Sequence, residues 1–165
     1  MSEADGSSAP PGLRPAVASD LPAIKELISV AYARYLTLMD KPPAPLFRDY
    51  GPSVEDGTTW VAGEPVTAVL TLYPRPDHMY VENVAVDPGA QGRGLGRALL
   101  DFAEAEAARR GLRRMALVTH EAMTENLAIY TRLGYVEVER RAEDGYRRIH
   151  LEKRLPAQPS AIYEG

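Results

Sequence analysis

The feature that most constrains this chain is the run from Val84 to Leu100, VAVDPGAQGRGLGRALL. An apolar strand ends in an Asp87-Pro88-Gly89 turn, and a glycine-rich segment then opens an amphipathic helix. Within that helix Leu95, Leu99, Phe102 and Ala103 recur at three- and four-residue steps, the period of one buried face. Gly111 stands where a left-handed residue ends such a helix. Glycines at a helix N-terminus let a ligand approach bare backbone N–H groups, and the helix dipole favours negative charge there. Arg93 and Arg97 add positive charge at the same end. The stretch predicts a cradle for a phosphate-bearing ligand.

Spacing narrows the ligand. A P-loop ends in Gly-Lys-Ser or Gly-Lys-Thr, and neither occurs in the chain. A dinucleotide fingerprint needs G-x-G-x-x-G, but Arg97 stands where the third glycine would follow Gly92 and Gly94. What remains is Gln91-x-x-Gly94-x-Gly96, directly after a Val-Ala-Val strand and a proline turn. In this the sequence resembles the GNAT superfamily of N-acetyltransferases, whose acetyl-CoA motif is R/Q-x-x-G-x-G/A in a strand–turn–helix setting. A second segment, Asn126-Leu127-Ala128-Ile129-Tyr130-Thr131-Arg132-Leu133-Gly134-Tyr135, is similar to the family's later motif N-x-x-x-Y-x-x-L-G-F/Y. The resemblance covers roughly residues 57–154, extends less clearly over 13–56 and is absent from both tails.

The 165 residues suit one domain with a real core. A net charge of −4 gives no electrostatic reason to expect nucleic acid or an anionic membrane as partner. With no Cys there is no disulfide framework, thiolate nucleophile or cysteine metal site. His78, His120 and His150 are scattered and form no metal-ligand pattern, so no metal is expected. Residues 1–12 are rich in Ser, Pro and Gly without signal-peptide character and read as a disordered leader. No apolar run approaches membrane-spanning length, and a cytoplasmic location is the expectation.

Along the chain, Leu13–Val17 reads as a short strand. Ser19 or Asp20 can cap a helix with Ile24, Leu27, Ile28 and Ala31 on its buried face. A second helical piece over Tyr32–Met39 is stopped by Pro42-Pro43-Ala44-Pro45, and Leu46–Gly57 has no clear period. Thr58–Ala62 and Val66–Tyr73 form a hairpin through Gly63-Glu64-Pro65. His78–Val86, the helix of residues 93–110 and Arg114–His120 make a strand–helix–strand crossover, which requires two parallel strands and a right-handed connection. Ala122–Leu133 is the last helix, Gly134 its C-terminal cap. Tyr135–Arg141 and Tyr146–Lys153 close the sheet as a hairpin, and the tail starts at Pro156. The fold class is α/β: one domain over 13–155, between the leader and a 156–165 tail. The resemblance implies a mixed, mostly antiparallel twisted sheet flanked by helices, with a central parallel pair splayed around the cofactor.

Acetyl transfer to an amine needs a held cofactor, a neutral amine, donors for the oxyanion and a proton for the leaving thiolate. The cofactor's pyrophosphate falls to backbone N–H groups of Gln91, Gly92, Arg93, Gly94, Leu95 and Gly96, and to Arg97. The resemblance implies that backbone groups of Val84 and Val86 bind the pantetheine arm as an added strand would. An N–H near Val84 or Ala85 is then the oxyanion donor. Tyr130 is the proton donor for the thiolate, although its spacing from Leu127 and Leu133 equally suits a core tyrosine. Asn126 matches the family position that contacts the pantetheine arm, or is a first-turn polar residue. For the base there are two readings. Glu82 alternates with Tyr80, Val84 and Val86 on one strand face; it is a base directly or through water, or a solvated charge. His120 lies at the C-terminal sheet edge, where α/β sites form, and its ordinary pKa of about 6.5 suits a base; it is otherwise a capping or loop histidine.

The resemblance implies an acetyl-CoA-dependent N-acetyltransferase, and with no Cys to carry an acyl-enzyme the expectation is direct attack in a ternary complex. The acceptor is expected to be a small-molecule amine rather than a protein, with no nucleic acid or membrane partner and with a homodimer possible by family habit. The competing readings are a non-catalytic acyl-CoA-binding or sensor module on the same fold, and a Rossmann-type nucleotide-binding domain, which the missing third glycine disfavours.

Overall fold

The computed structural model describes residues 9–157, so residues 1–8 of the expected leader and 158–165 of the expected tail lie outside the described residues. Seven strands form one sheet: β1 (Arg14–Pro15), β2 (Thr59–Ala62), β3 (Ala68–Pro74), β4 (Met79–Val86), β5 (Arg114–His120), β6 (Val136–Glu143) and β7 (Tyr146–Arg154). Their spatial order is β1-β2-β3-β4-β5-β7-β6. Every neighbouring pair is antiparallel except β4 and β5. Those two are joined by the long helix α3 (Leu95–Arg109), which supplies the crossover that parallel strands require. The remaining helices are α1 (Leu21–Tyr32), the short α2 (Gly51–Glu55) and α4 (Thr124–Arg132).

Alternation along the strands divides the apolar residues between two layers. Ala62, Ala68 and Leu70 face one side and pack with Leu99 and Ala103 of α3 and Tyr130 of α4. Val61, Val69 and Ala85 face the other and pack with Ile24, Leu27 and Ile28 of α1. Sequestering each of the Val, Leu and Ile side chains contributes about 1.5–3 kcal/mol, which is why the helical periods specify the layers.

Four local expectations change. Helix α1 ends at Tyr32, and the following residues form a 3-10 turn at Ala33–Tyr35 rather than a helix to Met39. The aperiodic stretch contains a 3-10 turn at Ala44–Phe47 and α2, seated by buried Ser53 and Val54. Asp20 precedes α1 without capping it: its carboxylate turns back to accept from Val17 N–H at 2.8 Å and from Arg14 at 2.7 Å and 2.9 Å. Helix α3 begins at Leu95, two residues later than the pattern predicts, because Gly94 takes a left-handed φ of 79°.

The β6–β7 turn holds Asp144 and Gly145 at φ of 52° and 83°, the pair of positive values that suits a two-residue hairpin. Among the described residues, no helix is long and apolar enough to cross a membrane.

Candidate active site

The centre of the sheet opens because its two parallel strands stop pairing. β4 and β5 meet only at Met79–Met115, Tyr80–Ala116 and Val81–Leu117. From there to Val86, β4 pairs only with β3, so the backbone edge of Val84, Ala85 and Val86 that faces β5 is free. An extended ligand can use that edge as a strand would.

The cradle lies at the end of β4. Asp87 accepts the Gly89 N–H at 2.8 Å and fixes the turn, and Gly92 and Gly94 take φ of 82° and 79°. Gly94 offers no side chain to cap α3, and the N–H groups of Leu95, Gly96 and Arg97 have no intrahelical acceptor. A Cβ built at Gly92, Gly94 or Gly96 would meet nothing within 4 Å, so the glycines border open space. Gln91 folds back to donate to Val86 C=O at 3.2 Å. Arg97 is 71 % exposed, with only Asp101 at 4.0 Å, and is free to swing towards an anion. Arg93 is exposed but does not line the cleft.

Two cavities flank this opening. One of about 530 Å³ runs along Val84–Val86, the glycine cradle and the face of α4. The other, about 310 Å³, lies between Glu82, His120, the 39–45 segment and the β6–β7 hairpin. Tyr32, Val84, Asn126 and Tyr130 line both and form the neck between them.

Tyr130 is buried at that neck, and its hydroxyl makes no hydrogen bond among the described residues. Burial first, then nearby Tyr35, push its pKa upward, so it stays protonated. Asn126 donates only a long 3.7 Å contact to Met123 Sδ, leaving its amide oxygen free. Across the neck Tyr32 donates to Asn83 Oδ1 at 3.0 Å, and Asn83 donates to Tyr50 Oη at 2.9 Å. Tyr50 in turn donates to Pro45 C=O at 3.2 Å. This chain ties α1, β4 and the approach to α2 together. None of Tyr32, Asn83, Tyr50 or Arg48 is legible as a site residue from spacing, because they meet only in three dimensions.

The alternation predicted for Glu82 holds towards Tyr80, with which it lines the smaller cavity, but breaks before Val84 and Val86. A bulge between Thr71 and Leu72 leaves Glu82 without a partner on β3: Val81 pairs with Leu72, and Asn83 with Thr71. The unpaired residue inverts the alternation that follows. Val84 and Val86 therefore pack on the α3 side, while Asn83 and Ala85 turn to the α1 side. Glu82 lines the smaller cavity and pairs with Arg48, Nε to Oε2, at 2.6 Å.

His120 lines the same cavity, but its nitrogens face the backbone. Nδ1 accepts from Ala122 N–H at 3.0 Å, and Arg147 N–H approaches Nε2 at 3.3 Å. A neutral imidazole has one accepting nitrogen, and here the shorter contact claims it. Burial first, then Arg148 and Arg147, lower the pKa of His120. The ring is thus a neutral cap at the β5–α4 junction, with no lone pair free for an incoming ligand. Among the described residues, no group of three or more His, Asp or Glu side chains is placed to hold a metal ion.

Comparison with known proteins agrees with this layout. The model of the acetyltransferase (GNAT) family matches residues 22–135. Over 65 residues the chain is 45% identical to mycothiol acetyltransferase of Amycolatopsis mediterranei, covering 39% of this chain and 21% of that protein. Over 61 residues it is 43% identical to N-alpha-acetyltransferase 80 of Mus musculus, covering 37% of this chain and 18% of that protein. The chain matches about a fifth of the length of these curated relatives. Among solved structures, the PaiA N-acetyltransferase of Thermoplasma acidophilum, in complex with coenzyme A, gives a TM-score of 0.72 at 14% identity, covering 86% of this chain and 97% of that one. The ribosomal-protein-S18-alanine N-acetyltransferase of Escherichia coli gives 0.68 at 21%, covering 90% and 95%. These two likenesses are of fold. The family match spans more than half the chain and includes the glycine cradle, the open strand edge and Tyr130: the chain belongs to the GNAT acetyltransferase family.

Proposed function

We propose that this protein transfers the acetyl group of acetyl-CoA to a primary amine by direct attack in a ternary complex. The observation that carries the reading is the neck: two cavities meet at Tyr130 and Val84, beside the unpaired edge of β4 in the centre of the sheet. The larger cavity has the free first-turn N–H groups of α3 and Arg97 for a pyrophosphate. Backbone groups of Val84 and Val86 would hold the pantetheine arm, with Asn126 on the opposite wall. The smaller cavity would hold the amine.

Acetyl-CoA supplies the activated carbonyl. The amine must first lose a proton, and Glu82 takes it directly or through a water at the cavity wall. Nitrogen then bonds to the carbonyl carbon, and the oxygen's developing charge is met by backbone N–H at Val84 or Ala85. The carbon–sulfur bond breaks as nitrogen's second proton passes to sulfur, giving the amide and free thiol. Tyr130 assists as a permanent hydroxyl donor at the neck. Its raised pKa makes it a weaker acid than a free thiol, pKa about 8.5, so its contribution is a hydrogen bond to the departing sulfur and relay of nitrogen's proton. His120, with its accepting nitrogen occupied, has no part in this scheme.

The test is calorimetric titration with acetyl-CoA, desulfo-CoA and NAD, followed by an amine screen read by thiol release. The reading requires binding of both CoA species, none of NAD, and amine-dependent release. Binding without release for any amine would leave an acyl-CoA-binding module. No CoA binding would remove the proposal altogether.

A further inference from the structure

The smaller cavity has a charge pattern that acetyl transfer alone does not demand. Arg48 and Glu82 stand side by side in its wall, in contact through Nε and Oε2 at 2.6 Å. Glu82 is the bulged residue of β4, and Arg48 comes from the segment between the Ala44–Phe47 turn and α2. Arg48 keeps more donor capacity than Glu82 uses, since its Nη1 is buried and has no hydrogen-bond partner. The guanidinium lies near the Tyr50 hydroxyl, where its charge and a hydrogen bond from it oppose the upward push of burial, and that hydroxyl also donates to Pro45 and accepts from Asn83. The Arg48 side chain as a whole is 30 % exposed and lines the cavity, so a ligand there can reach the guanidinium.

Two bonds tie the cavity's walls together on the side away from the neck. Lys41 Nζ donates to Asp144 C=O at 2.7 Å, and Tyr146 Oη donates to Pro42 C=O at 2.6 Å. Both bonds join the 39–45 segment to the β6–β7 hairpin, so the walls formed by Pro43–Pro45 and by Tyr146 are continuous.

We infer that the acceptor is a small zwitterion of the amino-acid class, whose carboxylate is received by Arg48 while its amine faces Glu82. An α-amino acid carries opposite charges on adjacent groups, and the wall presents the complementary pair in contact. Guanidinium is suited to this because its planar fork matches a carboxylate. Arg48 is thereby a specificity-determining residue. The inference rests on the acetyltransferase reading and names the substrate class of the same site.

The experiment compares kcat/KM for free amino acids, their α-carboxamides and short peptides, using the full chain and Arg48→Gln and Arg48→Lys variants. The expectation is that amino acids are preferred over their carboxamides by roughly ten- to a hundredfold, the value of one charge-assisted bond. Arg48→Gln should abolish that preference, and Arg48→Lys restore part of it. Acetyl-CoA affinity, measured beside them, should stay unchanged in both variants. A structural role alone would lower acid and carboxamide equally in Arg48→Gln, and that result overturns the inference. Carboxamides or peptides used as well as free acids by the wild type also overturn it, while leaving acetyl transfer intact. If acetyl-CoA binds but no amine of any class is acetylated, both readings fall together.

Discussion

Val81 and Leu117 form the last rung between the parallel strands β4 and β5. Past them each strand keeps its outer neighbour, β3 or β7, and loses its inner one. The gap is therefore held open by the rest of the sheet, and the neck at Tyr130 is a fixed feature of the fold.

Tyr130→Phe removes the hydroxyl and little else, since that hydroxyl bonds to no described residue. Turnover should fall about a hundredfold or more, in the range of a lost acid–base group. Acetyl-CoA affinity should change less than about threefold, under 1 kcal/mol. Thiol-release kinetics beside calorimetry decide it, and unchanged turnover removes Tyr130 from the chemistry.

Gly96→Ala should separate stability from binding. Gly96 lies in the first turn of α3 without a positive φ, and an added Cβ meets nothing within 4 Å. Ala there should stabilise the fold by about 0.5–1 kcal/mol through the unfolded state. The motif admits Gly or Ala at this position and the added Cβ borders open space, so CoA affinity should stay within about threefold, under 1 kcal/mol. A raised Tm with CoA binding lost would show that the Gly96 Cα hydrogen lies against the phosphates.

Glu82→Gln should lower kcat/KM at neutral pH by about a hundredfold if the carboxylate takes the amine's proton. The deficit should shrink as pH rises, because a free amine needs no base. A pH–rate profile parallel to wild type would reduce Glu82 to the partner of Arg48.

His120→Gln tests the cap. Turnover and the pH–rate profile should be preserved within about threefold, while stability falls by about 1 kcal/mol for the lost hydrogen bond. The wild type has a further signature. Burial lowers the folded pKa of His120 below the unfolded value of about 6.5. The unfolded chain therefore binds the proton first, and stability is full above about pH 6.5 and declines as pH falls through that value towards the folded pKa. Denaturant melts between pH 5 and 8 should show this slope in wild type and a smaller one in the variant.

Much of the layout was legible because it is local. The glycine spacing at Gln91–Gly96, the buried stripe Leu99–Ala103 and the hairpin at Asp144-Gly145 all reflect backbone demands met within a few residues. The same locality misled at Glu82. Strict alternation put it beside Val84, but the bulge opposite Thr71 and Leu72 is set by pairing with β3, and nothing within β4 announces it. His120 reads as a base from its pKa and its place at a strand end. What the sequence does not show is the Ala122 N–H that reaches its Nδ1.

The crossover, the cradle and the tyrosine on the last helix follow from local sequence, because dihedral preference and helical period act over short stretches of chain. Which side chains meet around the second cavity follows from the packing of distant segments. Arg48, Glu82, Tyr146 and Lys41 come from four separate segments, and the ion pair and loop closure they form depend on distances that no spacing along the chain encodes. The chemistry of the nucleotide-like half of the site is written in backbone, and so in local sequence. The choice of acceptor is written in side chains that the fold alone brings together.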